Sequence, residues 1–240
     1  MTHTTAALVG ATGGAGTTRT VLESAVVLAA DGADVAVLDA AYATQGLGSY
    51  LDGRLDPDMT ALVTDSAAAP LSAGLVDLEH DGSGRVACCP VDAPFERFAR
   101  AKSVEAARRF EERIEEAAAT FDYVLVDVPP VAANQAVAAT TACERVTLVA
   151  PAGDRGADAV GRLHERLADL GTSVDVVSIG RGAEDSGSAD VVLPKTNTPF
   201  PAAANDEQYG DAVVTLVSQL FEREVDSVAA STGFIGRLRR

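Results

Sequence analysis

Lysine is almost absent from this sequence. Of 19 basic residues only Lys102 and Lys195 are lysine, and 35 acidic residues bring the formal net charge to −16. No basic stripe occurs along the chain, so direct binding of nucleic acid is not predicted. The acidic excess is spread over the whole length rather than collected in one block. It therefore predicts adaptation to very high salt, as in halophilic archaea, where surface acidity serves solubility.

Cysteines and long apolar runs are also scarce. Cys88, Cys89 and Cys143 have neither the spacing of a zinc site nor that of a disulfide framework, so we expect buried, reduced thiols. No run of about 18 apolar residues is present that could span a bilayer. The N-terminal residues 1–5 lack the charged and apolar regions of a signal peptide. These absences predict a cytoplasmic protein.

The rest of the composition predicts a single α/β domain. The chain has 240 residues, is 47% hydrophobic and contains no linker-like stretch. Apolar runs typical of strands alternate with helical periodicity, the pattern of a mostly parallel central sheet with helices on both faces. The predicted strands are residues 6–9, 34–39, 85–89, 123–128, 145–150, 174–179 and 191–193. The predicted helices are residues 18–30, 104–119, 134–141, 154–170 and 207–224.

A glycine-rich loop, Gly10–Thr18, joins the first strand to the first helix. In that context the backbone N–H groups at the start of the helix form a site for anionic oxygen atoms. A P-loop of the form G-x-x-x-x-G-K-[ST] adds a lysine for the phosphates and a hydroxyl for magnesium. Gly16 and Thr18 match that form, whereas Ala11 replaces the first glycine and Thr17 replaces the lysine. Half of the motif is present.

The same loop fits a second template. Gly10, Gly13 and Gly16 have the G-x-x-G-x-x-G spacing of NAD(P)-binding dehydrogenases, in which Asp39, at the end of the second strand, could hold the adenosine ribose. Against this alternative, no tyrosine is followed by a lysine four residues later. A tight turn that binds nothing is the third possibility. The loop alone does not decide among the three.

The stretch of residues 121–130, Phe-Asp-Tyr-Val-Leu-Val-Asp-Val-Pro-Pro, is the second diagnostic feature. A buried apolar strand ends at Asp127, and this places a carboxylate at the carboxyl edge of the sheet, where α/β folds bind ligands. In P-loop enzymes such a carboxylate helps to hold magnesium. The alternative is a buried strand whose terminal aspartate has no function.

This stretch resembles the Walker B and switch II region of the MinD/ParA family of deviant P-loop ATPases, and the order of the later segments is similar too. The resemblance implies a P-loop NTPase-type sandwich over residues 1–226, with ATP and magnesium as cofactors. NAD(P) stays the alternative cofactor, on the glycine spacing given above. The resemblance also implies the site residues. Those for the nucleotide are Gly13, Gly14, Ala15, Gly16, Thr17, Thr18 and Arg19, and those for magnesium are Thr18 and Asp127.

Several active-site positions of that family hold other residues here. The family's signature lysine falls on Thr12 and its P-loop lysine on Thr17. The aspartate that positions the attacking water falls on Ala41, which leaves Asp39 as the catalytic candidate. Because losing such charge stabilisation costs three or more decades in phosphoryl-transfer rate, we expect negligible hydrolysis and weak ATP binding. An active ATPase with an atypical site is the alternative.

The C-terminal residues 227–240 form the last candidate element. Phe234, Ile235 and Leu238 would share one face of a helix, with arginines on the other. This pattern resembles the membrane-targeting helix of MinD, and a solubilising tail is the alternative. The family resemblance further implies a protein partner, a possible homodimer and a role in cell division, chromosome partitioning or the positioning of a cellular machine.

Overall fold

The computed structural model describes residues 4–180 and 189–225, which form one α/β domain around an eight-stranded sheet. The strands are β1 (Thr5–Gly10), β2 (Val35–Asp39), β3 (Val76–Asp77), β4 (Val86–Cys89), β5 (Tyr123–Val128), β6 (Arg145–Pro151), β7 (Val176–Gly180) and β8 (Val191–Leu193). Their order across the sheet is β3-β4-β2-β5-β1-β6-β7-β8. Only the pairing of β3 with β4 is antiparallel among the described strands. The predicted mostly parallel sheet is confirmed.

The α-helices are α1 (Thr17–Ala30), α2 (Met59–Leu62), α3 (Phe95–Arg100), α4 (Val104–Ala118), α5 (Asn134–Ala142), α6 (Asp154–Asp169) and α7 (Glu207–Phe221). The five long helices agree with the sequence prediction to within a few residues at each end. The short helices α2 and α3 and the two-residue strand β3 were not predicted. They are too short to show a hydrophobic period, which is the signal that the prediction uses.

Helices cover both faces of the sheet, as predicted. On one face α1 and α7 pack together, with Leu22 and Leu216 fully buried. On the other face α4, α5 and α6 cover the sheet, with Phe110 and Ile114 at the centre of the core. Because both faces are covered, the central strands are apolar almost throughout instead of alternating with polar residues.

The order of the strands determines what stands beside the glycine loop. β5 lies between β1 and β2, and its Asp127 is opposite Asp39 in the register of β2 with β5. In the dinucleotide-binding fold the second strand is the direct neighbour of the first. The order found here is not the one that the NAD(P) alternative requires. It places the carboxylate of Asp127, and not that of Asp39, next to the strand that precedes the loop.

The predicted membrane-targeting tail lies outside the described residues, and with it Phe234, Ile235 and Leu238. Within residues 4–180 and 189–225, no helix has the length and apolar character needed to cross a bilayer.

Two phenylalanines provide a matched test of the core. Phe110 is fully buried, whereas Phe95 is 80% exposed. We expect Phe110→Ala to lower the free energy of unfolding by about 3–5 kcal/mol, because it leaves a cavity in the core. Phe95→Ala should change it by less than about 0.5 kcal/mol. Urea denaturation at low protein concentration and one fixed salt concentration measures both values, and equal losses would contradict the packing described above.

Candidate functional site

A cavity of about 440 Å³ opens at the carboxyl edge of the sheet. Its size falls in the range of small-molecule sites. Its walls are the glycine loop with the start of α1, the segment that follows β2, and the end of β5 with its two prolines. The lining residues are Gly10, Thr12, Gly13, Gly14, Ala15, Gly16, Thr17, Thr18, Arg19, Ala41, Thr44, Gly46, Ser49, Tyr50, Asp127, Val128, Pro129 and Pro130. The structure therefore brings all the predicted nucleotide-binding residues and both predicted metal ligands to one cavity.

The glycine loop presents an open backbone to this cavity. Gly14 and Gly16 have φ angles of 76° and 88°, in the left-handed region that favours glycine. A Cβ atom added at Gly13, Gly14 or Gly16 would meet nothing within 4 Å. The backbone N–H groups of Gly13, Gly14 and Thr17 donate to no acceptor among the described residues. Unpaired N–H groups at the start of a helix are suited to bind phosphate or carboxylate oxygens.

The two predicted metal ligands contact each other. The hydroxyl of Thr18 donates a hydrogen bond of 2.6 Å to Oδ2 of Asp127. Burial raises the pKa of Asp127 from 3.8 to about 6, and the hydrogen bond from Thr18 offsets part of that rise. A hydroxyl and a carboxylate are the hard oxygen ligands that Mg²⁺ prefers, and a cation beside them would stabilise the buried charge. The pair therefore fits a magnesium site.

Asp39 lies behind the cavity wall and is fully buried. Its Oδ1 accepts a hydrogen bond of 2.7 Å from the N–H of Ala41, and its Oδ2 accepts one of 3.2 Å from the N–H of Val91. Burial raises the pKa of Asp39 well above its ordinary value, and the nearby charge of Asp127 raises it further. Asp39 thus joins the segments that follow β2 and β4, and it does not line the cavity as a ribose contact would. Its catalytic role stays a prediction.

Arg19 is held by acceptors on α1 and on the segment that follows β8. Its Nε lies 3.3 Å from Oε1 of Glu23, and its terminal nitrogen donates a bond of 2.7 Å to the carbonyl of Thr198. Glu23 is fully buried and also accepts bonds of 2.8 Å from the N–H groups of Ala202 and Ala203. The guanidinium therefore joins this segment to α1, and these contacts compete with a role in place of a P-loop lysine. The role of Arg19 in binding nucleotide stays a prediction.

Hydroxyl groups occupy the places where lysines would stand. Arg19 is the only cationic side chain among the described residues of the cavity lining. Thr12 and Thr17 line the cavity, and Oγ1 of Thr17 faces the end of β1, 2.6 Å from the position of a Cβ added to Gly10. A phosphate group in this cavity would be bound by amides and hydroxyls, without a lysine ammonium.

Beyond Ala41, the segment that follows β2 was not predicted as part of the site. Thr44, Gly46, Ser49 and Tyr50 line the cavity, and a Cβ added to Gly46 would stand 3.5 Å from Oγ1 of Thr18. The ring of Tyr50 packs edge-on against that of Phe200, with centroids 5.1 Å apart. The available signal was position alone, because this segment directly follows a parallel strand at the carboxyl edge of the sheet.

Similar folds occur among solved structures. MinD of Pyrococcus horikoshii, complexed with Mg-ADP, is 15% identical over 90% of this chain and 95% of that chain, with a TM-score of 0.71. The MinC:MinD complex of Aquifex aeolicus matches at 16% identity over 93% and 97%, with a TM-score of 0.74. Cobyrinic acid a,c-diamide synthase of Mycobacterium smegmatis, with bound ADP and magnesium, matches at 16% over 95% and 99%, with a TM-score of 0.70.

No family model matches this sequence, and neither does any curated protein. The structural likeness establishes the fold, which is the single-domain P-loop NTPase sandwich found in MinD. The same fold carries a cell-division protein and a diamide synthase, so the fold does not by itself specify the function of this chain.

Asp127→Asn tests the buried carboxylate. The pKa of Asp127 in the folded chain, about 6, lies above its ordinary value of 3.8. Protonation of Asp127 therefore stabilises the folded chain at low pH, and this contribution is lost as the pH rises toward 6. Asparagine keeps an oxygen acceptor for Thr18 but carries no charge. We expect the variant to be more stable than the native chain by about 1–3 kcal/mol near pH 7.5, with a smaller difference near pH 5.

Thermal unfolding without nucleotide or magnesium measures this difference. Asp211→Asn on the exposed face of α7 is the matched control and should leave stability unchanged at both pH values. A loss of stability in Asp127→Asn at both pH values would contradict the assignment of a costly buried charge.

Proposed function

We propose that this chain is a MinD/ParA-like pseudo-ATPase or weak ATP binder. The proposal rests on one combination of features. The backbone N–H groups of the glycine loop and the Thr18–Asp127 pair are present, but no lysine occurs among the described residues that line the cavity. Thr18 and Asp127 remain in contact at 2.6 Å, while Thr12 and Thr17 stand at the lysine positions. Arg19, the remaining cation of the lining, is held by Glu23.

Weak binding and negligible hydrolysis both follow from this arrangement. Amides and hydroxyls can hold the phosphates of Mg-ATP, since helix N-termini bind anions without a charged side chain. Hydrolysis needs more, because negative charge spreads over the transferred phosphoryl group in the transition state and positive groups must offset it. Ala41 offers no carboxylate for the attacking water, and Asp39 is hydrogen-bonded to two backbone amides behind the wall.

We further propose that the chain acts with a protein partner in spatial organisation within the cytoplasm, in cell division, chromosome partitioning or the positioning of a cellular machine. The support is the shared fold with MinD, which occurs in complex with MinC in Aquifex aeolicus. The net charge of −16 supports a halophilic cytoplasm as the setting. The retained contact of Thr18 with Asp127 is the one observation that favours the alternative of an active ATPase.

Thr17→Lys tests whether the missing ammonium weakens nucleotide binding. We expect the variant to bind Mg-ATP at least about tenfold more tightly than the native chain, because charge-assisted hydrogen bonds to phosphate are roughly twice as strong as neutral ones. Isothermal titration calorimetry in concentrated KCl measures both affinities. Thr17→Met is the control, since methionine has a similar length without the charge, and it should bind no more tightly than the native chain.

Phosphate release separates this proposal from the active enzyme. The native chain should release phosphate from Mg-ATP no faster than Asp127→Asn, which lacks the carboxylate for magnesium. If the native chain releases phosphate and the Asp127→Asn substitution abolishes that release, the chain is an ATPase and the pseudo-ATPase proposal is overturned. Thermal stabilisation by NAD(P)H but not by Mg-ATP would favour the dinucleotide alternative.

We also propose that the C-terminal tail attaches the protein reversibly to membranes. Burial of Phe234, Ile235 and Leu238 would contribute roughly 5–8 kcal/mol before the cost of ordering the segment. We expect deletion of residues 233–240 to release the protein from liposomes in a sedimentation assay. The double substitution Phe234→Ser with Leu238→Ser keeps every arginine and should release it as well. Equal sedimentation of all three chains would remove the membrane proposal.

A further inference from the structure

Tyr50 is the one aromatic side chain among the described residues that line the cavity. It ends the short helical turn Leu47–Tyr50 in the segment that follows β2. Its side chain is half-buried, because the ring packs against the core on the α1 and α7 face and also forms part of the cavity wall. A flat aromatic surface is therefore available to a molecule in the cavity.

Phe200 holds the ring of Tyr50 in one orientation. The two rings pack edge to face, with centroids 5.1 Å apart and planes at 77°. Phe200 belongs to the segment that follows β8, and this segment is anchored on both sides of it. Arg19 binds the segment before Phe200 with the bond of 2.7 Å, and Glu23 binds the N–H groups of residues 202–203 after it, each at 2.8 Å. A ring that is already ordered loses little freedom when a ligand contacts it.

The groups suited to phosphate lie in the same cavity as this ring. They are the N–H groups of the glycine loop and the pair of Thr18 with Asp127. The segment after β2 passes close to that pair at Gly46, where an added Cβ would stand 3.5 Å from Oγ1 of Thr18, and it reaches Tyr50 four residues later. The apolar residues 128–130 directly follow Asp127, so they belong to the magnesium end of the cavity. A ligand with phosphates on the amides can thus reach Tyr50 with its other end.

A recess on the other side of Arg19 is too small to compete for the flat end of such a ligand. It lies between the glycine loop and the end of β8, where Pro194 and Tyr209 form part of its wall. Its volume of about 40 Å³ holds about three water molecules. The cavity beside Tyr50, at about 440 Å³, has the size of a small-molecule site. The available space therefore directs the flat end of the ligand to Tyr50.

We propose that Tyr50 is a binding residue of this site and holds the base of the nucleotide by stacking. A molecule that carries phosphates at one end and a flat aromatic group at the other is a nucleotide, and proteins hold bases on aromatic rings in this way. The inference rests on the proposed function, since it requires that phosphates bind at the glycine loop. It adds that the segment after β2 supplies the contact with the base.

Two ligands that differ only in the base test this role. They are Mg-ATP and the magnesium complex of ribose 5-triphosphate. The native chain should bind Mg-ATP at least about fivefold more tightly than the ligand without a base, because stacking adds to the contacts of the phosphates. Tyr50→Leu should remove that difference by weakening Mg-ATP alone, whereas Tyr50→Phe keeps the ring and should bind both ligands as the native chain does. Isothermal titration calorimetry of the full chain in concentrated KCl measures all six affinities.

The outcomes separate this inference from the proposed function. If the native chain binds the two ligands equally, or if Tyr50→Leu weakens both to the same extent, Tyr50 does not hold the base and the inference is overturned while nucleotide binding stands. The same holds if Tyr50→Phe loses as much affinity for Mg-ATP as Tyr50→Leu. If the native chain binds neither ligand, the proposed function fails and this inference fails with it.

A tryptophan reporter provides an independent measurement. The chain contains no tryptophan, so Tyr50→Trp introduces a single indole at the position of the ring. We expect Mg-ATP to quench its emission through stacking, and magnesium ribose 5-triphosphate to leave the emission unchanged. Leu170→Trp is the control, because Leu170 is 37% exposed, lies at the end of α6 and does not line the cavity. Unchanged emission of Tyr50→Trp at a concentration of Mg-ATP that saturates the chain by calorimetry would overturn the inference.

Discussion

The burial of the Asp127 carboxylate at the end of β5 is the constraint around which this edge of the sheet is organised. The one bond that the described residues give its side chain is the 2.6 Å hydrogen bond from Thr18. That bond offsets only part of the cost of burial, and the pKa of Asp127 remains raised to about 6. A fold with no use for the charge would be more stable with a neutral residue here. The buried carboxylate thus favours a bound cation or ligand at this position over the alternative of a tight turn that binds nothing.

Asp39 is also buried, yet its surroundings are different. Both of its oxygens accept backbone N–H groups, from Ala41 and Val91, so the hydrogen-bonding capacity of the carboxylate is directed at the fold. Asp127 instead has a single hydroxyl partner and faces the cavity. Two aspartates at equivalent strand ends therefore serve different purposes. The sequence alone could not distinguish them, because both follow an apolar strand.

Local patterns were enough to predict the long strands and helices, since both faces of the sheet are covered and the apolar periods are strong. The pairing of Thr18 with Asp127 was implied by the family resemblance and not by local patterns, and the two side chains are in contact. The contact of Arg19 with Glu23 has the i,i+4 spacing of a helix and is local. Local patterns could not predict that Arg19 also donates to the carbonyl of Thr198, which is far away in sequence. The contact of Tyr50 with Phe200 is equally distant, and helix α3 is too short to show a period.

The segment from Ala41 to Gly46 separates the cavity from a second recess of about 280 Å³. Ala41, Thr44 and Gly46 line the cavity, while Tyr42, Ala43 and Gln45 line the second recess. Asp39 fixes the start of this segment through the N–H of Ala41, and Gln45 fixes its end through Ala93. Because neighbouring residues of one short segment line both spaces, a ligand in the cavity that displaces this segment would change the second recess as well.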